Sequence, residues 1–171
     1  RIAPGQIFWL AAPEIGPLAG EQPQPADGRY ATEVAGIRVL LDGRPAAILA
    51  ARPDALLVAA SFGLEPYRAI RAEVLHPKRP AASTSLTVVP TEPRMVQAII
   101  RPDGKARDHI VPGDIVTLYG TGFGRLQEDL SAGEVATRQA APELPVAAYP
   151  SKFEVIYVGT EPGLPPGLIK L

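Results

Sequence analysis

The sequence predicts an all-β protein made of two tandem β-sandwich modules, and three observations support this. Proline and glycine account for 20 and 16 of the 171 residues, a level that disfavours helices and ends strands early. Short apolar runs alternate with turn signals about every eight to twelve residues, as in sandwiches. Finally, the opening stretch Ile2–Leu10 recurs at Ile110–Leu118 with the same Ile, Pro, Gly, Ile and Leu.

The repeat predicts the domain organisation, because one unit that occurs twice implies two similar modules. We place the modules at residues 1–90 and 91–171. Each copy is expected to begin with a turn and a strand, and the second strand runs into a glycine-rich bend. The predicted turn and bend residues are Pro4, Gly5, Pro112, Gly113, Gly120, Gly122 and Gly124.

Composition excludes several classes of partner and chemistry. The formal net charge is −1, so no basic field attracts nucleic acid. Cysteine is absent, which excludes disulfides and thiolate chemistry. No apolar run reaches the roughly 18–20 residues of a membrane helix, so membrane insertion is not predicted. The chain begins with Arg1 and shows no signal peptide, so we expect a processed or excised piece.

The first module is predicted to contain a hairpin and further strands. Asp42-Gly43 is a strong turn signal between two strands, because both residues of such a turn need positive φ. The expected strands are Ile7–Leu10, Glu33–Leu41, Pro45–Ala50, Leu56–Phe62, Tyr67–Leu75 and Thr84–Val89. Residues 12–27, rich in proline, are expected to form a long loop.

The second module is predicted to be shorter. Its expected strands are Met95–Ile100, Ile115–Tyr119, Leu144–Ala148, Phe153–Val158 and Leu168–Leu171, with a short helix or a loop at Arg125–Ala141. Alignment with the first module leaves its last two strands missing. Leu168, Ile169 and Leu171 would then form an open strand edge that accepts a strand from another chain. The alternatives are an incomplete chain and a shortened fold that closes by itself.

Several motifs resemble known families. Pro112-Gly113 followed by Gly120-Thr-Gly-Phe-Gly124 resembles the opening of IPT/TIG modules, which are immunoglobulin-like sandwiches. The segments Val39–Leu49 and Val155–Leu168 resemble the Solibacter-type C-terminal domain family of acidobacterial secreted proteins, which pairs two such modules. The resemblance covers nearly the whole chain and implies a secreted or cell-surface location. That family has no assigned catalytic residues to carry over. Ala11–Gly16 and Tyr149–Lys152 depart from its pattern.

The glycine cluster is weak evidence for a phosphate-binding loop. A dinucleotide fingerprint needs a glycine at its sixth position, where this chain has Arg125. A strand bend with positive φ is the better interpretation of Gly120, Gly122 and Gly124. No cofactor is therefore predicted.

Acidic and histidine residues give no convincing metal or catalytic site. Carboxylates that could offer oxygen to structural Ca²⁺ lack the spacing of a calcium loop; they are Asp103, Asp108, Asp114, Glu128 and Asp129. His76 and His109 have no further zinc ligands at suitable spacing. No G-x-S-x-G elbow is present. We therefore predict that the chain is not an enzyme.

Trp9 is the candidate for contact with a ligand or partner. The repeat aligns Trp9 with Thr117 and Phe8 with Val116, so one of the adjacent residues Phe8 and Trp9 should point away from the core if both copies share register. The resulting hypothesis is a non-catalytic extracellular structural or adhesive module, a subunit of a surface filament or assembly. It would join other protein chains, copies of itself included, by β-strand addition. The alternative is a carbohydrate-binding module of a secreted enzyme, with Trp9 stacking on a glycan.

Overall fold

The computed structural model describes residues 1–100, 114–149 and 154–171. Within these ranges the chain forms β-strands in three antiparallel sheets and no helix, which confirms the all-β class. The strands are Ile7–Ala11 (β1), Glu33–Val34 (β2), Ile37–Leu41 (β3), Arg44–Pro45 (β4), Ala47–Arg52 (β5), Ala55–Ala59 (β6), Ala69–His76 (β7), Arg79–Thr87 (β8), Arg94–Ile100 (β9), Thr117–Thr121 (β10), Gly159–Thr160 (β11) and Ile169–Lys170 (β12). In these residues there is no helix that could cross a membrane.

The first two sheets share one core and form a sandwich. One has the order β1-β6-β5, and the other has the order β2-β3-β7-β8, with β4 also paired to β3. The side chains buried between the two sheets belong to one cluster that includes Val39, Ile48, Leu56, Val58, Ile70 and Val74. Burying a side chain of this size stabilises the fold by about 1.5–3 kcal/mol.

Alternation of apolar and polar residues determines which face of the second of these sheets is buried. In β7, Ile70, Ala72 and Val74 are buried while Arg71 is exposed. Successive side chains of a strand point to opposite faces, so the charged residues face solvent. The predicted strand Tyr67–Leu75 is thus confirmed as β7, with its bounds shifted by one or two residues.

The predicted strand Glu33–Leu41 is wrong as a single element. Ala35 and Gly36 have φ of +51° and +75°, so a two-residue turn separates β2 from β3. Local sequence offers little sign of this turn, because alanine rarely adopts positive φ. Asp42 and Gly43, at +54° and +76°, form the predicted turn. The return strand Pro45–Ala50 is also divided, because the chain passes from β4 to β5 in the opposite sheet.

The third sheet has the order β11-β12-β10-β9. Residues 144–148 and 154–158 do not pair, so the strands predicted at Leu144–Ala148 and Phe153–Val158 are wrong in the described residues; Phe153 lies outside them. Pairing begins instead at Gly159. Residues 125–141 form a loop without a helix, held by isolated bridges such as Leu126 to Pro142.

The third sheet repeats the connectivity of the first. β1 pairs with β6, which pairs with β5; in the same way β10 pairs with β12, which pairs with β11. The repeats are not identical, because β10 also pairs with β9 whereas, within the described ranges, β1 has a strand on one side only. In addition, Ile115 lies before β10 begins. Superposition of Ile7–Leu10 on Ile115–Leu118 stays a prediction.

The second half of the chain packs on the outer face of the sheet β1-β6-β5. Ala132 joins a small cluster with residues of β5 and β6. The N–H of Ile7 donates to Thr121 Oγ1 at 2.7 Å, and Arg125 pairs with Glu65 at 2.8 Å. This sheet is therefore covered on its inner face by the sandwich core and on part of its outer face by the second half.

We expect Thr121→Val to destabilise the protein because it leaves the Ile7 N–H without its acceptor. Thr121 is only 2% exposed, so water cannot easily replace the lost hydroxyl. Losing such a partner costs about 1–3 kcal/mol, measurable by urea unfolding. Thr117→Val, on the same strand, is the control, since no hydrogen bond is made by the Thr117 side chain within the described residues. Equal unfolding midpoints for the two variants would contradict the role of this bond.

Candidate binding cleft beside Trp9

Trp9 lies on the outer face of the first sheet. Its neighbours Phe8 and Leu10 pack against the sandwich core, so alternation directs Trp9 the other way. The side chain is 43% exposed. The Arg52 guanidinium lies 4.6 Å from the centre of its ring, close enough for a cation–π contact. Arg52 therefore holds an exposed indole in a defined place.

A cleft of about 970 Å³ opens around Trp9, where the second half leaves the outer face uncovered. One wall is formed by residues of the first sheet, including Leu57. The other walls are the proline-containing loop at residues 22–25, Met95 and Val96 of β9, and the loop at residues 163–168. Met95 and Val96 are 57% and 58% exposed. The cleft is thus lined mainly by apolar side chains accessible to solvent, as in many ligand sites.

The electrostatics of the cleft are weak. Its cations, Arg1 and Arg94, both pair with Glu92, at 3.3 and 2.9 Å. None of the carboxylates in the described part of the chain lines it. Burial raises the pKa of the Tyr30 phenol, which therefore stays neutral. The cleft therefore offers shape, apolar surface and neutral polar groups rather than charge.

A second cleft, of about 730 Å³, lies between the Asp42-Gly43 turn and residues 129–134. Its charged side chains largely satisfy one another. Arg29 pairs with Glu134 at 2.9 Å, and Arg68 pairs with Asp42. The Trp9 cleft, with its exposed aromatic and apolar walls, is the better candidate for binding.

Tyr119, Glu161 and Lys170 form a polar network on the third sheet. The Tyr119 hydroxyl donates to Glu161 Oε2, and Lys170 Nζ donates to Glu161 Oε1 at 2.9 Å. These bonds, from Tyr119 first and Lys170 second, lower the pKa of Glu161. The bond to Glu161 also raises the pKa of Tyr119 and that of Lys170. The network ties β10, β12 and the residue after β11 together.

The predicted first turn is present at Pro4-Gly5. The Gln6 N–H donates to the Ala3 carbonyl at 3.1 Å, and φ is +70° at Gly5. Proline followed by a residue with positive φ is typical of a type II turn. The corresponding residues Pro112 and Gly113 lie outside the described ranges.

The glycine bend is a close-packing site. Gly122 and Gly124 have φ of +83° and +85°, whereas no positive φ occurs at Gly120. A Cβ on Gly122 would lie 2.1 Å from the Glu92 carbonyl oxygen, and one on Gly124 would lie 2.5 Å from that of Pro90. The glycines thus let the bend contact the segment that connects β8 to β9, which gives them a structural role in the fold.

The predicted acceptor edge at Leu168, Ile169 and Leu171 is wrong. β12 lies between β10 and β11, so both of its sides are paired, and Ile169 is 2% exposed. Leu171 extends the pairing through two hydrogen bonds with Leu118, each 2.9 Å. In the described part of the third sheet the outer strands are β9 and β11.

The carboxylates considered for calcium do not come together where they are described. Glu128 pairs with Arg138 at 2.6 Å. Of the two histidines considered for zinc, His76 accepts a hydrogen bond at Nδ1 from the Lys78 N–H at 3.1 Å. No group of three metal-binding side chains occurs in the described residues. Asp103, Asp108 and His109 lie outside them, so the calcium hypothesis stays untested.

Sequence reasoning found Trp9 but not the walls of its cleft. The usable signal was that Phe8 and Trp9 are adjacent in a predicted strand, so that only one of them can face the core. No local pattern connects the loop at residues 22–25 with β9, or Tyr119 with Glu161 and Lys170. These contacts arise between segments that are far apart in the sequence.

We expect Gly122→Val to destabilise the protein by about 1–3 kcal/mol or more through positive φ and through contact with the Glu92 carbonyl. Chemical denaturation measures the loss. Gly28→Ala separates the two causes, because Gly28 has positive φ but no heavy atom within 4 Å of the place that a Cβ would take. Equal losses for the two variants would show that the close contact contributes nothing.

We expect Glu161→Gln to lower the free energy of unfolding near neutral pH by up to about 1 kcal/mol, since the pair is about one-third exposed. The folded pKa of Glu161 lies below its ordinary 4.5. Its contribution is therefore complete above pH 4.5 and is lost as pH falls through the folded pKa. The difference between wild type and variant should shrink accordingly in denaturation curves at decreasing pH. Glu143→Gln, at an exposed position, is the control, and a difference independent of pH would contradict this assignment.

Comparison of the chain with protein-family models, with curated proteins and with solved structures gives no match in any of the three. A function for this chain therefore has to be inferred from its own residues. The cleft beside Trp9 is the feature from which that inference starts.

Proposed function

We propose that this chain is a non-catalytic, immunoglobulin-like module that binds other protein chains, and that the Trp9 cleft is its binding site. The observation that carries the proposal is an exposed tryptophan, held by Arg52, in a cleft with apolar walls. Aromatic residues in such positions contribute most of the binding energy at many protein interfaces. The weak charge of the cleft fits a partner that offers apolar side chains.

The strand order supports the immunoglobulin-like part of the proposal. Immunoglobulin sandwiches carry strands B, E and D in one sheet and C, F and G in the other. Taken in chain order, β1, β6 and β5 occupy the first set of positions, and β3, β7 and β8 occupy the second. The third sheet has the same order with β9 added, which matches an A-B-E-D sheet and supports a tandem arrangement.

The cellular location that we propose rests on the resemblance of Val39–Leu49 and Val155–Leu168 to the Solibacter-type family. That resemblance supports a secreted or cell-surface protein, and a chain without cysteine is compatible with it. Within such a protein the module has a structural or adhesive role. Its partners are other protein chains, which include copies of itself.

Glycan binding is the second candidate, and the exposure of Trp9 favours it. An indole can stack on a sugar ring, and Gln22 and Gln24 at the rim of the cleft offer neutral polar groups. The predominance of apolar side chains in the walls favours a protein segment over a glycan as the ligand, because sugars need several hydrogen-bonding partners.

Selection from a random peptide library, with Trp9→Ala as the counter-selection target, tests the proposal. We expect enriched peptides to bind wild type at least about tenfold more tightly than the variant, or about 1.4 kcal/mol. Tyr149→Ala is the control, since Tyr149 is 96% exposed and lies outside the cleft. A glycan array is probed in parallel. Trp9-dependent sugar binding without Trp9-dependent peptide binding would replace this proposal with the second candidate.

A further inference from the structure

We infer that the protein partner binds as an extended strand that pairs with the open edge of β1, antiparallel to it, and so enlarges the first sheet. The inference rests on the proposed function and specifies how the cleft is used. It moves the acceptor edge from β12, where the sequence suggested it, to the opposite half of the molecule.

The hydrogen bonds between β1 and β6 determine which backbone groups face outward. Ala60 N–H donates to the Gln6 carbonyl at 2.8 Å, and Ala12 N–H donates to that of Asp54 at 3.0 Å. In an antiparallel ladder alternate residues bond to the same neighbour. The residues between, Ile7, Trp9 and Ala11, therefore direct their N–H and C=O groups to the side away from β6.

This outward side is open over most of its length. Ile7 N–H is taken by Thr121 Oγ1. Within the described residues, Trp9 and Ala11 make no hydrogen bond through their backbone groups beyond the β1–β6 ladder. Both are exposed. The segment Ile7–Ala11 also has no proline, charge or bulge, which are the features that normally protect an edge strand.

Apolar side chains lie on both sides of this edge. Phe8 and Leu86 line the cleft toward the sandwich core, and Leu57 lines it on the outer face. Met95 and Val96 of β9 lie across the cleft. The side chains of an added strand would alternate between the two faces, so apolar residues at successive positions would all meet apolar surface.

The third sheet shows which kind of segment fills this position. With connectivity matched, β9 lies beside β10 at the position where β1 has no neighbouring strand among the described residues. β9 runs antiparallel to its partner and has the sequence Arg-Met-Val-Gln-Ala-Ile-Ile. The occupant we infer is therefore an apolar segment of similar length, recognised through its backbone.

A peptide with the sequence of β9, blocked at both ends and labelled with fluorescein, tests the inference by anisotropy titration against the intact protein. Two further peptides carry N-methyl groups on alternate residues, one on the even and one on the odd set. Only one set of N–H groups can face β1. We expect one methylated peptide to bind at least about tenfold more weakly than the parent peptide, because each lost hydrogen bond weakens binding by on the order of a few-fold or more. The other methylated peptide should bind nearly as well as the parent.

Equal binding of the two methylated peptides, or no binding of the parent, would overturn the inference. If the two methylated peptides bind equally while library peptides still bind in a Trp9-dependent way, the proposed function stands and only the inference of strand addition is wrong. Loss of Trp9 dependence for every peptide removes the proposed function itself. The two failures are therefore distinguishable.

Ala11→Pro provides the matching change in the protein. Ala11 ends β1, and its N–H faces outward, so proline removes a donor that is not bonded to any described residue. We expect several-fold weaker binding of the parent peptide, with the melting temperature close to that of Ala11→Val, which keeps the N–H. Unchanged affinity in Ala11→Pro would show that the peptide binds elsewhere, for example by displacing β9 from β10, and would count against the inference.

Discussion

Close backbone contact at three glycines is the constraint on which the arrangement of the two halves depends. Side chains at Gly122, Gly124 and Gly167 would lie 2.0–2.5 Å from carbonyl oxygens of Glu92, Pro90 and Gly5. Real Cβ atoms cannot approach so closely, so only glycine lets these segments touch. The contacts hold the glycine bend against the connecting segment and the loop at residues 163–168 against the first turn. As a result, the second half lies on one face of the first sandwich.

This packing explains why the first sheet is apolar on both faces. A sheet covered on both sides is expected to lose the alternation seen in β7, and the segment Ile7–Ala11 contains no polar side chain apart from the Trp9 indole. The cover is incomplete, however. Ala132 packs at one end of the outer face, while Trp9 at the other end stays in the cleft. The candidate site is thus the part of an interior-like surface that the second half does not reach.

Charge is a minor feature of the candidate site and of the contacts around it. Ion pairs such as Arg29 with Glu134 and Arg79 with Glu14 are largely exposed, and exposed pairs stabilise proteins only weakly. The network of Tyr119, Glu161 and Lys170 joins strands of the third sheet. The candidate site instead offers apolar surface and the outward backbone groups of Trp9 and Ala11, which fit the proposed peptide strand.

The features that depend on neighbouring residues could be predicted from the sequence. They are the Asp42-Gly43 turn, the alternation that makes β7 a strand, and the outward direction of Trp9. The turn at Ala35-Gly36 could not, because tertiary pairing there overrides the preference of alanine. Which strand edges are open was determined only by the tertiary structure, which places β12 inside its sheet and, among the described strands, β1 at a border. The physical reason is that an edge is defined by what lies beside it, and the strands beside β1 and β12 come from residues far away in the sequence.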